Sequence, residues 1–165
     1  MQIQALFPPE ELAVDIRELS PLSLAFVGDS VLELLVRRRL VCQTRLHPGA
    51  LNTAKVKYVS AHAQYREQQL LEPYLTEEEM EWFKRGRNAT KASVSKHATP
   101  AEYRASTGFE CLLGWLYLTG RTARVSELFE LLWAGFDPAA PHKAAEKAGG
   151  KPALPGEAPP AAETE

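Results

Sequence analysis

Apolar residues recur every three or four positions along most of the chain, and no segment alternates apolar and polar residues as a strand would. The clearest helix is predicted to begin after Ser20, a good N-cap, with Pro21 in its first turn, and to end near residue 41. Thr76 is predicted to cap another helix, because three glutamates follow it. Further helices are predicted at about residues 10–19, 49–58, 60–71, 76–85, 101–119 and 122–135. The pattern therefore predicts an all-α fold, a helical bundle.

The composition changes after Asp137. The remaining residues are mainly Pro, Ala, Gly and charged residues, which cannot bury enough apolar surface to offset their chain entropy. The whole chain of 165 residues is 45% hydrophobic, enough for the core of one ordinary domain. We therefore expect one folded domain over residues 1–137 and a disordered Pro/Ala-rich tail over residues 138–165.

The net charge of -2 hides two basic zones, because residues 34–66 contain no acid and residues 84–104 contain only Glu102. No apolar run approaches the roughly 20 residues that span a bilayer, and the N-terminus has no secretory signal pattern. Cys42 and Cys111 are far apart in apolar surroundings and are interpreted as core residues of a reducing compartment. These features indicate a cytoplasmic protein without a membrane partner.

Two carboxylates are predicted in the middle of apolar helices. Asp29 lies in AFVGDSVLELLVRRRL beside Gly28, and Glu110 lies in YRASTGFECLLGWLYL, four residues before Gly114. A buried carboxylate must be paired, protonated or metal-bound. Each glycine costs a helix about 1 kcal/mol, and close helix packing is one reason to keep it. Such packing would bring the carboxylates together; the alternative is that each acid is a partly exposed residue paired with an arginine.

The two helices resemble the two acidic motifs of the ribonuclease III endonuclease domain. The matching residues are Gly28, Asp29, Ser30, Val31 and Leu32 in the first motif, and Phe109, Glu110, Gly114, Tyr117 and Leu118 in the second. The family usually has two more acids, where this chain has Ala25 and Thr107, and a Pro/Ala-rich segment stands where a double-stranded-RNA-binding domain usually follows. Both departures are similar to the Mini-ribonuclease III branch, as are the segments RGRN and YVSAHAQ.

The resemblance implies a ribonuclease III-like fold and Mg²⁺-dependent hydrolysis of double-stranded RNA, with Asp29 and Glu110 as catalytic residues and metal ligands. It also implies a homodimer in which Phe26 anchors the interface; the alternative for Phe26 is packing in the core. In this branch the implied substrate is precursor 23S, or large-subunit, ribosomal RNA near its ends. A ribosomal protein that presents this substrate is the expected accessory partner.

Double-stranded RNA is recognised mainly through its phosphates and 2′-hydroxyls, which suits a basic loop predicted over residues 86–100. The candidate RNA-binding residues are Arg85, Arg87, Asn88, Lys91, Lys96 and Arg104. The alternative for such residues is ordinary solvated charge at helix ends. For the protein as a whole, the alternatives are a module of the same fold that binds RNA or ribosome components without cleaving, and a helical scaffold without an RNA partner.

Overall fold

A computed structural model describes residues 11–89 and 98–140 of the chain. These two ranges contain helices and turns and no strand, which confirms the predicted all-α fold. The helices are α1 (Pro21–Gln43), α2 (Pro48–Val59), α3 (Ala61–Leu71), α4 (Glu77–Ala89), α5 (Pro100–Leu118) and α6 (Thr122–Gly135). Because only three residues of the predicted tail are described, the boundary at residue 137 stays a prediction.

Most helix ends follow from the capping residues. The Ser20 hydroxyl accepts a hydrogen bond from the Leu22 amide at the start of α1. Thr76 and Glu79 form the reciprocal capping box before α4. Gly120 follows α5 with a φ of +75°, a left-handed conformation that glycine adopts without strain. Local chemistry therefore sets where the chain turns.

Two predicted boundaries are wrong. Within residues 11–19, the described part of the helix expected at 10–19, there is only a 3-10 turn, Ile16–Glu18, because the chain must be extended at Leu19 to reach the N-cap of α1. Helix α4 continues to Ala89 instead of ending near residue 85. Gly86 is an interior position of α4, where a Cβ atom would lie 2.4 Å from the Cβ of Cys111. The glycine therefore allows close packing and does not end the helix.

Helix α5 lies at the centre of the domain and packs against α1, α3 and α4. Its most extensive contact is with α1, where the two backbones meet at a pair of glycines. A Cβ atom on Gly28 would lie 1.8 Å from the carbonyl oxygen of Glu110. One on Gly114 would lie 1.9 Å from the carbonyl oxygen of Leu24. Packing this close fixes the position of α1 against α5 and confirms the predicted role of the glycines.

The cysteines and the helix lengths test two further expectations. Cys111 is buried as predicted, whereas Cys42 is exposed in the last turn of α1, so its assignment to the core was wrong. Among the residues that the structure describes, no helix is both long and apolar enough to cross a membrane.

Candidate active site

Asp29 and Glu110 come from the two helices that cross at Gly28 and Gly114. Asp29 follows Gly28 directly on α1, and the backbone of Glu110 on α5 is the surface that Gly28 touches. The two carboxylates are close enough for the negative charge of Asp29 to raise the pKa of Glu110. The helix crossing therefore brings together the two acids that the sequence places 81 residues apart.

Glu110 is the more buried of the two acids. Burial is the main reason that its pKa is raised from the usual 4.5 to about 7. The amide of Gln64 on α3 opposes this effect by donating a hydrogen bond of 3.0 Å to Glu110 Oε1, because that bond favours the ionised carboxylate. Glu110 is therefore a carboxyl group that exchanges its proton near neutral pH when no metal is bound.

Asp29 is exposed, which decides between the buried and the partly exposed positions that the sequence left open. Gly28 makes the contact with α5, and this leaves the next side chain at the edge of the crossing. Partial desolvation there is the first cause of a raised Asp29 pKa, followed by the charge of Glu33, while Lys55 lowers it. Asp29 is thus accessible to a ligand that approaches from solvent.

Neighbours of the pair include residues that sequence reasoning missed. Glu33 lies one turn after Asp29 and accepts ion pairs from Lys55 Nζ at 2.6 Å and Arg37 Nη2 at 3.2 Å. Those cations lower the pKa of Glu33 and hold it as a carboxylate. Glu33 could have been identified from the sequence, because a residue four positions after Asp29 lies on the same face of the helix. Lys55 and Gln64 come from other helices, and no local pattern connects them with the acids.

The donor atoms at the crossing fit a hard divalent cation. Two carboxylates supply only oxygen ligands, and their mutual repulsion would be relieved by a positive charge between them. Ala25 has only a buried methyl group, and Thr107 has only a hydroxyl, which donates to the Tyr103 carbonyl at 3.0 Å, so these two positions add no carboxylate. Within residues 11–89 and 98–140, no group of three or more His, Cys, Asp or Glu side chains is gathered as a metal site. Mg²⁺ commonly binds through one or two carboxylates plus water and phosphate oxygens, which matches this pair.

Glu110→Gln is expected to change how the stability of the metal-free protein depends on pH. The pKa of the wild-type carboxyl is higher in the folded state because burial disfavours its ionised form. The folded protein is therefore most stable below pH 4.5, where the group is protonated, and loses this stability as the pH rises through about 7. The difference corresponds to about 3 kcal/mol in the free energy of unfolding. Urea unfolding in EDTA at pH 5 and pH 8 should show the variant gaining stability relative to the wild type at the higher pH.

Glu81→Gln is the matched control for this measurement, because Glu81 is an exposed acid on α4. It should follow the wild-type dependence on pH. Parallel curves for Glu110→Gln and the wild type would contradict the raised pKa.

The predicted RNA-binding residues fall into three groups. Arg87, Asn88 and Arg104 are exposed and line a cleft of about 670 Å³ that Lys84 also lines. Arg85 is only partly exposed: its guanidinium lies 4.2 Å from the Trp82 ring centre and donates to the Arg17 carbonyl at 3.1 Å. The last group lies outside the described residues and consists of Lys91 and Lys96.

Phe26 is 80% exposed, so its ring is not part of the core of this chain. It borders an apolar groove of about 250 Å³ between α1, the end of α5 and the start of α6. The groove is lined by Phe26, Val27, Ser30, Val31, Leu34, Leu35, Tyr117, Thr122 and Val125. Asp29 lies on the same helix but is not among the residues that line the groove.

The fold and the carboxylate pair together define a ribonuclease III-type endoribonuclease domain, and a sequence model described as the Ribonuclease III domain matches residues 22–121. Over 76% of its length the chain is 42% identical to the Mini-ribonuclease 3 of Brevibacillus brevis, covering 93% of that protein. It is 45% identical to the Mini-ribonuclease 3 of Symbiobacterium thermophilum, with 68% and 86% of the two chains covered. The chain therefore belongs to the ribonuclease III family, in its Mini-ribonuclease III branch, and is an endoribonuclease.

A solved structure supports the same assignment of the fold. The crystal structure of a protein from Fusobacterium nucleatum superposes with a TM-score of 0.68 at 28% sequence identity. The match covers 74% of this chain and 98% of that one. The family and the fold that the two acidic motifs predicted are both confirmed.

Proposed function

We propose that this endoribonuclease hydrolyses double-stranded or structured RNA and depends on Mg²⁺. The observation that carries the proposal is the carboxylate pair, Asp29 and Glu110, held together where α1 and α5 cross. A Mg²⁺ ion held by these residues would polarise a phosphoryl oxygen and lower the pKa of an attacking water. The same two side chains are the catalytic residues in this proposal.

Different side chains of the site have different roles in this proposal. Asp29 is exposed and faces the incoming substrate, whereas Glu110 is held from behind by the amide of Gln64. Lys55 neutralises Glu33 and limits the negative charge beside Asp29. With only two carboxylates in the site, we expect weak Mg²⁺ binding to the free protein and tighter binding once RNA phosphates contribute oxygens.

Basic side chains at the cleft between α3, α4 and α5 suit the RNA backbone. Arg87 and Arg104 can contact phosphates, and the Asn88 amide can bond a 2′-hydroxyl, which is how proteins read duplex RNA. The other RNA contacts in the proposal are Arg85, Lys91 and Lys96. Arg85 would contact RNA with its guanidinium held against the ring of Trp82, because the two groups already pack together.

Arg87→Ala combined with Arg104→Ala is expected to raise KM for duplex RNA while leaving kcat nearly unchanged. Removing two phosphate contacts should also make the logarithm of affinity less dependent on the logarithm of salt concentration, with a slope smaller by about 1 to 2. Binding measured at several salt concentrations checks both effects. Arg17→Ala is the control, since Arg17 is exposed and pairs with Asp15; an equal effect in that variant would contradict the assignment.

The groove around Phe26 is proposed as the interface of a homodimer. A residue so exposed and apolar, beside further exposed leucines on α1, marks a protein contact surface. A twofold dimer would use the same patch on both subunits and would place two active sites on one duplex, one for each strand.

Phe26→Glu is expected to produce a folded monomer. The Phe26 side chain contributes little to the core of its own subunit, so the thermal midpoint of the monomer should change little. A glutamate at this position would bring an unpaired charge into the interface and block association. Sedimentation equilibrium should give twice the chain mass for the wild type and a single chain mass for the variant. Val56→Glu changes an exposed apolar residue outside the groove and should remain dimeric; a dimeric Phe26→Glu protein would contradict the proposal.

The proposed natural substrate is precursor 23S ribosomal RNA near its ends, with cytoplasmic location following from that substrate. The support is the resemblance to the Mini-ribonuclease III branch, where this substrate is implied. A ribosomal protein that presents the RNA is proposed as an accessory partner. Incubation with precursor transcripts, with and without bound ribosomal proteins, tests both points through the ends of the products.

The experiment that tests the general function compares three substrates: a long RNA duplex, the same RNA as a single strand, and a DNA duplex. The proposal expects shorter products from the RNA duplex with Mg²⁺ and none in EDTA. Cleavage of the DNA duplex at the same rate, or full RNA cleavage in EDTA, would overturn it.

A further inference from the structure

The buried face of α3 contains a polar pair, Gln64 and Glu67, of which the proposed chemistry uses only Gln64. Gln64 is 1% exposed and Glu67 is 0% exposed, and a spacing of three residues places them on the same side of the helix. Gln64 Oε1 and both carboxyl oxygens of Glu67 are buried without a hydrogen-bond partner among the described residues. Three buried acceptors on one helix face require a donor.

The orientation of the Gln64 amide is already fixed by its other end. Its Nε2 group donates to the carbonyl of Val59 at 3.1 Å and to Glu110 Oε1 at 3.0 Å. A rotation that exchanged nitrogen and oxygen would place the amide oxygen against the carbonyl oxygen of Val59, which can only accept. Gln64 Oε1 must therefore find its donor elsewhere, on the side of the amide away from Glu110.

Glu67 can supply that donor if its carboxyl group is neutral, because a protonated carboxyl carries one O–H. Complete burial raises the pKa of Glu67 well above its usual range. The adjacent Arg66 only partly opposes this effect, since its guanidinium donates to the Asp137 carbonyl at 3.1 Å and lies over the Phe136 ring. No ion pair to Glu67 is formed in the described part of the chain.

We propose that Glu67 is a positioning residue for the active site: its neutral carboxyl donates a hydrogen bond to Gln64 Oε1 and thereby keeps Gln64 Nε2 directed at Glu110. The inference rests on the proposed function, because it assigns Glu67 a role through the catalytic Glu110. Glu67 is not a catalytic residue in this proposal, since it acts on Glu110 only through the Gln64 amide, which donates to Glu110.

Two substitutions separate this role from simple packing. Glu67→Gln keeps a donor of nearly the same shape, and Glu67→Met keeps the volume but removes the donor. The expected result for Glu67→Met is a kcat on duplex RNA lowered about 10- to 100-fold, as is usual when a residue that orients a ligand is lost. KM should stay unchanged, the thermal midpoint should be equal or higher, and Glu67→Gln should retain the wild-type kcat.

A second measurement decides the question without RNA or metal. In the ¹H–¹⁵N spectrum, the side-chain amide of Gln64 should exchange slowly with solvent in the wild type and in Glu67→Gln, and faster in Glu67→Met. Glu67→Leu provides the same test if the methionine variant does not fold. Unchanged Gln64 exchange in the apolar variants, or equal loss of kcat in Glu67→Gln and Glu67→Met, would overturn the proposal.

The two readouts also separate this inference from the proposed function. If the wild type leaves duplex RNA uncut in Mg²⁺, the proposed function fails, while the Gln64 exchange rates still decide whether Glu67 orients the amide. If the wild type cleaves and Glu67→Met keeps both wild-type kcat and wild-type exchange, only the inference on Glu67 fails.

Discussion

Gly28→Ala should destabilise the protein by about 3 kcal/mol or more, which is large for a single methyl group. The new Cβ atom would lie 1.8 Å from the carbonyl oxygen of Glu110 and 2.8 Å from the amide nitrogen of Gly114. Both contacts are with backbone, which cannot rotate away as a side chain would. Helices α1 and α5 must therefore separate, and the carboxylates of Asp29 and Glu110 must move apart with them.

Urea unfolding of Gly28→Ala and the wild type gives the change in stability, and the cleavage rate at a temperature where both are folded gives the change in function. Gly49→Ala is the matched control, because its nearest atoms belong to the His47 side chain at 3.3 Å. Alanine also favours a helix over glycine, so this control should be about as stable as the wild type or slightly more stable. Equal unfolding midpoints for Gly28→Ala and Gly49→Ala would contradict the close helix contact.

Asp29→Asn and Glu110→Gln are each expected to lower kcat about 1,000-fold, the scale of losing one group that stabilises charge in the transition state. Each variant keeps the shape of the side chain but removes the negative charge that a divalent cation needs. RNA affinity measured in EDTA should remain close to that of the wild type, because the basic residues at the cleft are unchanged.

Glu81→Gln removes one exposed carboxylate from α4 and serves as the control for both variants. It should cleave at the wild-type rate. A loss of RNA affinity as large as the loss of kcat in Asp29→Asn or Glu110→Gln would mean that the acids serve binding and not chemistry.

Much of the fold could be predicted because helix periodicity and capping are local. Ser20, Thr76 and Gly120 mark helix ends through contacts within a few residues of themselves. The same locality explains the error at α4: Gly86 resembles a helix terminator in sequence, and only its contact with Cys111 on α5 shows why it is tolerated inside a helix.

The candidate site could be predicted only in part. The motifs identified Asp29 and Glu110, but periodicity could not show that Gly28 takes the buried contact and leaves Asp29 exposed. Gln64 and Lys55 reach the acids from α3 and α2, and such contacts depend on tertiary packing. A sequence pattern on one helix contains no information about which side chains of another helix will face it.

Asp29 and Glu110 are proposed to form one active site. The most direct measurement is single-turnover cleavage of a long RNA duplex in Mg²⁺ by the wild type, Asp29→Asn, Glu110→Gln and the double variant. Residues that act as a unit are not additive, so the double variant should be as slow as each single variant. Losses that multiply in the double variant, or wild-type cleavage by either single variant, would contradict the account.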